Sequence, residues 1–315
     1  MFKKRALVIL CVCLTFVGPT KTQDAQNLGE ARYEKIVKLS RELKKYEKEM
    51  WGVNPGNFAT EPPIGQPLGV YAFLAQDKLT VVKTYLEVEK FSLIFLGSDE
   101  AKRLNKRYSN LDIYIRKADV AGTAKISQHF LERDRADQIR TILHEDFHSH
   151  RSDLPLNFRG IEEGFADAFS FAALRHLAAN YFHDPELGKI ANAKLERELV
   201  NSRILFSCYI SLNTLYRSRL PREEKLKRRG LIFEQCSKEL GELFGEKPMN
   251  NASLALWLTY KLYFRYATEK IDQYGVKPFI ACYTETHETA ETEKKWLADF
   301  ERCLLNKELS GKESR

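Results

Sequence analysis

Two hydrophobic rhythms divide the chain. Over 26–50, in QNLGEARYEKIVKLSRELKKYEKEM, the apolar residues Tyr33, Ile36, Val37, Leu43 and Tyr46 recur at helical spacing on a charged background. The Pro- and Gly-rich stretch WGVNPGNFATEPPIGQPLG then breaks the pattern and reads as an irregular connection. Between 69 and 125 the period shortens, and GVYAFLA, LTVVKTYLEV, FSLIFLG and LDIYIRKADV read as strands. The last is the clearest, because Leu111, Ile113 and Ile115 alternate with Asp112, Tyr114 and Arg116. From about 134 the helical period returns. Helices are expected over 135–151, 161–182, 187–218, 222–245, 251–273 and 288–307, with turns at Pro155, Pro185, Pro221, Pro248 and Pro278. This order predicts an α+β fold, predominantly α-helical, with a small N-terminal sheet packed on a larger helical body.

Length and charge narrow the picture further. A chain of 315 residues, 43% hydrophobic and 30% charged, can bury one substantial core. We therefore expect a single domain over 23–315, with an N-terminal lobe at 23–130 and a helical lobe at 131–315. The net charge of +7 does not point to nucleic acid, since acids interleave with the bases in RELKKYEKE and LPREEKLKRRG as on solvated helix faces. Residues 1–22 have the anatomy of a secretory signal or N-terminal anchor: MFKKR precedes the apolar run ALVILCVCLTFVG. The body of the protein is thus expected beyond the cytoplasmic membrane, periplasmic or tethered through that segment. In that setting Cys208, Cys236, Cys282 and Cys303 permit one or two disulfides, with the pairing open and free thiols as the other reading.

The candidate chemistry lies in TILHEDFHSH, residues 141–150. His144-Glu145-Asp146-Phe147-His148 matches H-E-x-x-H, which puts two imidazoles on one helix face, a turn apart, where both can reach one ion. A zinc ion with three protein ligands keeps one position for water. Glu145 can take that water's proton and later pass it to a leaving amine. The following SHRSDLPLNF lacks the Gly and third His of the extended metzincin pattern. His150, two residues past His148, reads as a surface or supporting residue, and Asp146 as a bystander. IEEGFADAFSF (161–171) supplies a better third ligand, Glu163. Asp167, one turn on, can accept the free ring N–H of His144. Glu162 is the rival ligand, about 100° round the helix.

H-E-x-x-H followed by E-x-x-x-D resembles the gluzincin zinc peptidases. More narrowly, the chain resembles a bacterial family of predicted aminopeptidases, in which a segment like N-E-S-F-A follows the zinc helix. Here EEGFA (162–166) stands in its place, with Glu162 for the Asn and Gly164 for the Ser. LDIYIRKADVAGTA, LYRSRLPREEKLKRRGLIFEQCSKEL and NNASLALWLTYKLYF extend the similarity over about 110–280. The resemblance implies a zincin-like fold, one Zn2+ on His144, His148 and Glu163, Glu145 as general base and acid, and a peptide substrate. Candidates for stabilising the developing oxyanion are Tyr209, Tyr216, Asn250, Asn251 and Tyr260. NNAS favours Asn250 or Asn251 in the cleft, although Asn251 is equally suited to cap a helix. Tyr209 and Tyr216 read as core aromatics. Two other functions stay open: a non-catalytic zinc-binding envelope scaffold, and a metal-dependent amidase acting on cell-wall peptides. The resemblance implies an aminopeptidase, while the residues themselves offer no identifiable amine-binding carboxylate and leave exopeptidase and endopeptidase activity open.

Overall fold

The computed structural model describes residues 23–52, 55–56, 70–88, 91–117, 120–121, 125–126, 128–150, 158–241, 248–286 and 292–313. The N-terminal segment 1–22 lies outside them. The fold is predominantly helical with a small three-stranded antiparallel sheet. No helix among the described residues is long and apolar enough to cross a membrane.

The sheet comprises β1 (Val70–Gln76), β2 (Phe91–Gly97) and β3 (Asp112–Lys117) in the order β2-β1-β3. In register, Phe73 of β1 faces Ile94 on one side and Ile115 on the other. Successive side chains of β1 point to opposite faces, and both faces are covered. Phe73 and Ala75 pack with Leu104 of helix α2 (Ser98–Arg107), whereas Leu74 meets Ala252 and Ala255 of α8 (Asn251–Lys261). Burial on both faces explains why FLA runs without polar alternation. A two-stranded ribbon, β4 (Val120–Ala121) with β5 (Lys125–Ile126), follows.

LTVVKTYLEV, expected as a strand, is not one. It ends in a short 3-10 turn at Tyr85–Glu87, and the Tyr85 amide donates to Thr259 Oγ1 on α8 at 2.9 Å. Tyr85 and Val88 are buried against α8, with Val82 and Leu86 half-buried beside them, instead of pairing in the sheet.

The helical body is organised around α5 (Arg159–Asn180), which is buried on almost every side and packs against α4 (Arg135–His148), α6 (Pro185–Arg217), α8 and α9 (Phe264–Tyr274). The first helix, α1 (Gln23–Trp51), belongs to this body and not to the sheet: it lies against α3 (Gln128–Leu131), α4 and α10 (Val276–Glu285). The expected helix 251–273 breaks at Leu262–Tyr263 into α8 and α9. There the chain passes Gly164 of α5 so closely that a Cβ would come within 3.0 Å of the Tyr263–Phe264 backbone. Pro278, expected in a turn, sits in the first turn of α10, where the missing N–H costs no helical bond. α7 (Arg222–Leu240) stops short of 245 at Gly241, whose φ of 59° favours glycine. Two disulfides clamp neighbouring helices: Cys208–Cys236 joins α6 to α7, and Cys282–Cys303 joins α10 to α11 (Glu293–Glu313).

Candidate metal centre

α4 starts at Asp134, whose carboxylate caps the Asp137 amide at 2.8 Å. Ile139, Ile142, Leu143 and Phe147 are buried, and Phe147 packs on Phe169 of α5 and Tyr283 of α10. That anchoring turns His144 and His148 toward the first turns of α5, where Glu163 stands. One ligand atom from each of His144, His148 and Glu163 lies within 4.8 Å of the others, so the group could hold a metal ion. The Nε2 atoms of the two histidines are 3.2 Å apart, and Glu163 Oε2 lies 3.1 Å from His144 Nε2 and 3.4 Å from His148 Nε2.

The outer atoms of the three are held as well. His144 Nδ1 lies 3.1 Å from Asp167 Oδ1, close enough to pair with it but not aligned as a hydrogen bond. His148 Nδ1 is 2.8 Å from Glu162 Oε1. The second oxygen of Glu163 meets Arg159 Nη2 at 2.8 Å, while Arg159 Nη1 holds Glu162 at 2.7 Å and Arg159 Nε donates to Tyr85 Oη at 3.0 Å. Carboxylates on both Nδ1 atoms favour the tautomer with its proton there, leaving the Nε2 lone pairs to converge with a carboxylate oxygen. Such a cluster of electron pairs, almost wholly buried, needs a cation or protons to be stable. The donor set, two imidazoles and a carboxylate, suits zinc.

The electrostatics agree with this layout. Burial alone would disfavour a charged His148, but Glu163 and Glu162 outweigh it and push its pKa up to about 10. His144 is raised likewise, by Asp167 and Glu163 against its burial. Burial would raise Glu163, yet His148 and Arg159 hold it well below the usual carboxylate range. Asp167 is lowered against its burial by Lys261 first, then by His144 and Arg140. Lys261 Nζ sits 2.6 Å from Asp167 and 2.8 Å from Glu198, and Arg140 Nη1 is 3.0 Å from Asp167.

The structure therefore brings together His144, His148, Glu163 and Asp167 as their spacing predicted. Glu145, beside His144 on α4, is half-buried. Glu162, weighed as a rival ligand, instead orients His148. Asp146 is no bystander: fully buried, it pairs with Lys44 of α1, and burial against that cation leaves its pKa raised to about 6. His150, read as a surface or supporting residue, is half-buried: its ring packs on Phe147 and Phe169, and burial, then Lys44, lowers its pKa to about 4.

Asn250 and Asn251 are engaged in holding the sheet. Asn250 caps α8 in a reciprocal pair with Ser253 and donates to Ile113 O at 2.9 Å. The Asn251 side-chain amide donates to the carbonyls of Asp77 and Lys78, and its oxygen accepts from Tyr216 Oη at 3.0 Å. Tyr260, about 13 Å further along α8, is the group this helix brings to the histidines, its ring centroid 5.9 Å from that of His144. Burial, then Glu163, Tyr85 and Glu145, keep its hydroxyl protonated well beyond the ordinary tyrosine range. The Arg159 contacts were readable as i,i+3 and i,i+4 pairs with Glu162 and Glu163. Nothing in the sequence linked Asp167 to Lys261 or Glu163 to Tyr85. A broad surface groove of about 860 Å³, lined in part by Arg175, His176, His183 and Asp272, lies at the opposite end of α5 and shares no residue with the centre.

No family model matches the chain, and no curated protein or solved structure gives a match.

Proposed function

We propose that the chain is a zincin-like, zinc-dependent peptidase of gluzincin type, acting on peptide substrates outside the cytoplasm. The observation that carries this reading is the convergence of two Nε2 atoms and one carboxylate oxygen, with a separate carboxylate standing beside each Nδ1. A surface histidine pair has no need of such support, whereas a pair built to bind a metal does. His144, His148 and Glu163 would hold the ion. When bound, zinc polarises a water and the scissile carbonyl. Glu145 accepts the water's proton and returns it to the leaving amine. The protonated Tyr260 hydroxyl donates to the oxygen on which negative charge develops, the role first sought in Asn250 and Asn251. Arg159 and Glu162 keep the ligand carboxylate and His148 fixed while this happens.

The two disulfides support the expected location, since such bonds persist in oxidising compartments. The aminopeptidase label rests on the resemblance alone. Zinc content and peptide hydrolysis of wild type, His144→Ala and Glu145→Gln test the proposal. Glu145→Gln should retain one zinc and lose about 10²–10⁴-fold in turnover, while His144→Ala should lose the metal. A Glu145→Gln variant as active as wild type would overturn the assignment. Wild type that neither carries nor takes up zinc would overturn the whole reading. Free and N-blocked peptides compared side by side then decide the label, which preference for blocked substrates rejects.

A further inference from the structure

The C-terminal half of α6 differs from the other exposed helix surfaces. Between Glu198 and Glu223 the chain has no acid, yet it carries Arg203, Arg217, Arg219 and Arg222. All four arginines are exposed, and none forms an ion pair among the described residues. Elsewhere acids interleave with the exposed cations, and some pair with them, as in Arg103–Glu100, Lys189–Glu186, Arg228–Glu224 and Arg265–Glu269.

Large apolar side chains are also left open here. Val200, Phe206 and Ile210 are 43%, 45% and 46% exposed. At about 100° per residue they share one sector of α6 with Arg203. This sector is opposed to the one in which Leu205, Cys208 and Leu212 join Phe233 and Cys236 of α7 in the core. From Val200 to Arg217 the face runs about 25 Å along a convex helix. The Cys208–Cys236 disulfide holds this helix to α7, so the face is presented on a rigid hairpin.

A convex helix with an apolar stripe and unpaired arginines suits a plane of anionic headgroups, not a groove. A second copy of the same face would set arginines against arginines. We propose that this face of α6, with the turn into α7, docks on an anionic lipid surface. Phe206 and Ile210 enter the acyl boundary, and Arg203, Arg217, Arg219 and Arg222 hold the phosphates. The surface is separate from the metal centre and does not depend on its chemistry.

Sedimentation of the full chain with vesicles tests this, using phosphatidylcholine alone and equimolar phosphatidylcholine–phosphatidylglycerol. Mass spectrometry fixes the N-terminus of the protein used, because a retained leader, apolar with MFKKR at its start, would itself bind vesicles and add an anionic preference that the α6 variants leave untouched. Binding specific to the anionic vesicles and weakened by salt is expected. The variant Arg217→Gln/Arg219→Gln/Arg222→Gln should bind them on the order of a hundredfold more weakly. Phe206→Ser/Ile210→Ser should also weaken binding, and both variants should keep the wild-type thermal transition. Equal binding to the two lipids, no binding to the anionic vesicles, or a triple variant that binds like wild type would overturn the proposal.

Discussion

Along one face α5 carries Glu163 and Asp167, and along the other Phe165 and Phe169. The first face meets His144, His148, Arg140, Arg159 and Lys261, so that nearly every contact is between charges or potential charges. On the second, Phe165 lies among Phe279, Tyr283, Trp296 and Phe300, with ring centroids 5.0 to 5.9 Å apart. A buried ion network contributes little net stability, because desolvation consumes much of the attraction. An aromatic cluster of this size contributes a great deal. The contrast teaches that the polar face is held in place by the apolar one, and that its own geometry brings His144, His148 and Glu163 together.

The largest effect should come from attacking the apolar face. Phe165 is fully buried, so Phe165→Ala should cost about 3–5 kcal/mol. By calorimetry that is a drop on the order of 10 °C in Tm, while the molecules that remain folded should still bind one zinc. A loss below about 1 kcal/mol would break the idea that this face bears the scaffold.

Glu162→Gln attacks the polar network without replacing a proposed ligand. The amide preserves shape and can still accept from His148 Nδ1, but the charge is gone. Zinc affinity, measured by chelator competition, should fall about 10–100-fold with little change in Tm. Equal losses in Tm and affinity would show that the network serves stability after all.

The pH dependence separates the faces further, because only the polar one titrates. His148 without metal is raised to about 10, so its pairing stabilises the folded chain fully below the ordinary histidine range. That contribution is lost as pH rises from about 6.5 toward 10. Zinc uptake runs the opposite way, since the ion must displace the proton. Its affinity should rise about tenfold per pH unit across this window for one proton released. The zinc-induced gain in Tm should therefore grow with pH while the metal-free Tm falls. Calorimetry in two buffers of different ionisation enthalpy would count the proton, and a pH-independent affinity would place no protonated histidine in the site.

Much of this centre was legible in the sequence because its key relations are local. His144 with His148, and Glu163 with Asp167, are i,i+4 pairs whose helical period the apolar residues Phe147, Phe165 and Phe169 declare. The small sheet was legible for the same reason, from the alternation in β3. What escaped depends on tertiary contacts between distant segments. Lys261 reaches Asp167 from another helix, and LTVVKTYLEV has strand composition but finds its partner in Thr259 of α8. Asp146 read as a bystander until α1 supplied Lys44. Asn250 and Asn251 show the converse error, since a motif beside a site was read as lining it when its amides were needed to fix α8 to the sheet.

The smallest effect tests the point where both faces share a constraint, Gly164. This residue lies between Glu163 and Phe165, and a Cβ there would stand 3.0 Å from the backbone of Tyr263 and Phe264. Two terms oppose each other in Gly164→Ala. Alanine improves helix propensity by about 1 kcal/mol, whereas crowding against backbone costs about 1–3 kcal/mol. Backbone cannot rotate away as a side-chain tip can, so crowding should win by about 1 kcal/mol, and Tm should fall by a few degrees. The displacement should also carry Glu163 with it, weakening zinc binding slightly more than stability alone would. A rise in Tm would mean that the elbow between α8 and α9 yields to α5. In that case the close approach at Gly164 would not be what divides the two helices.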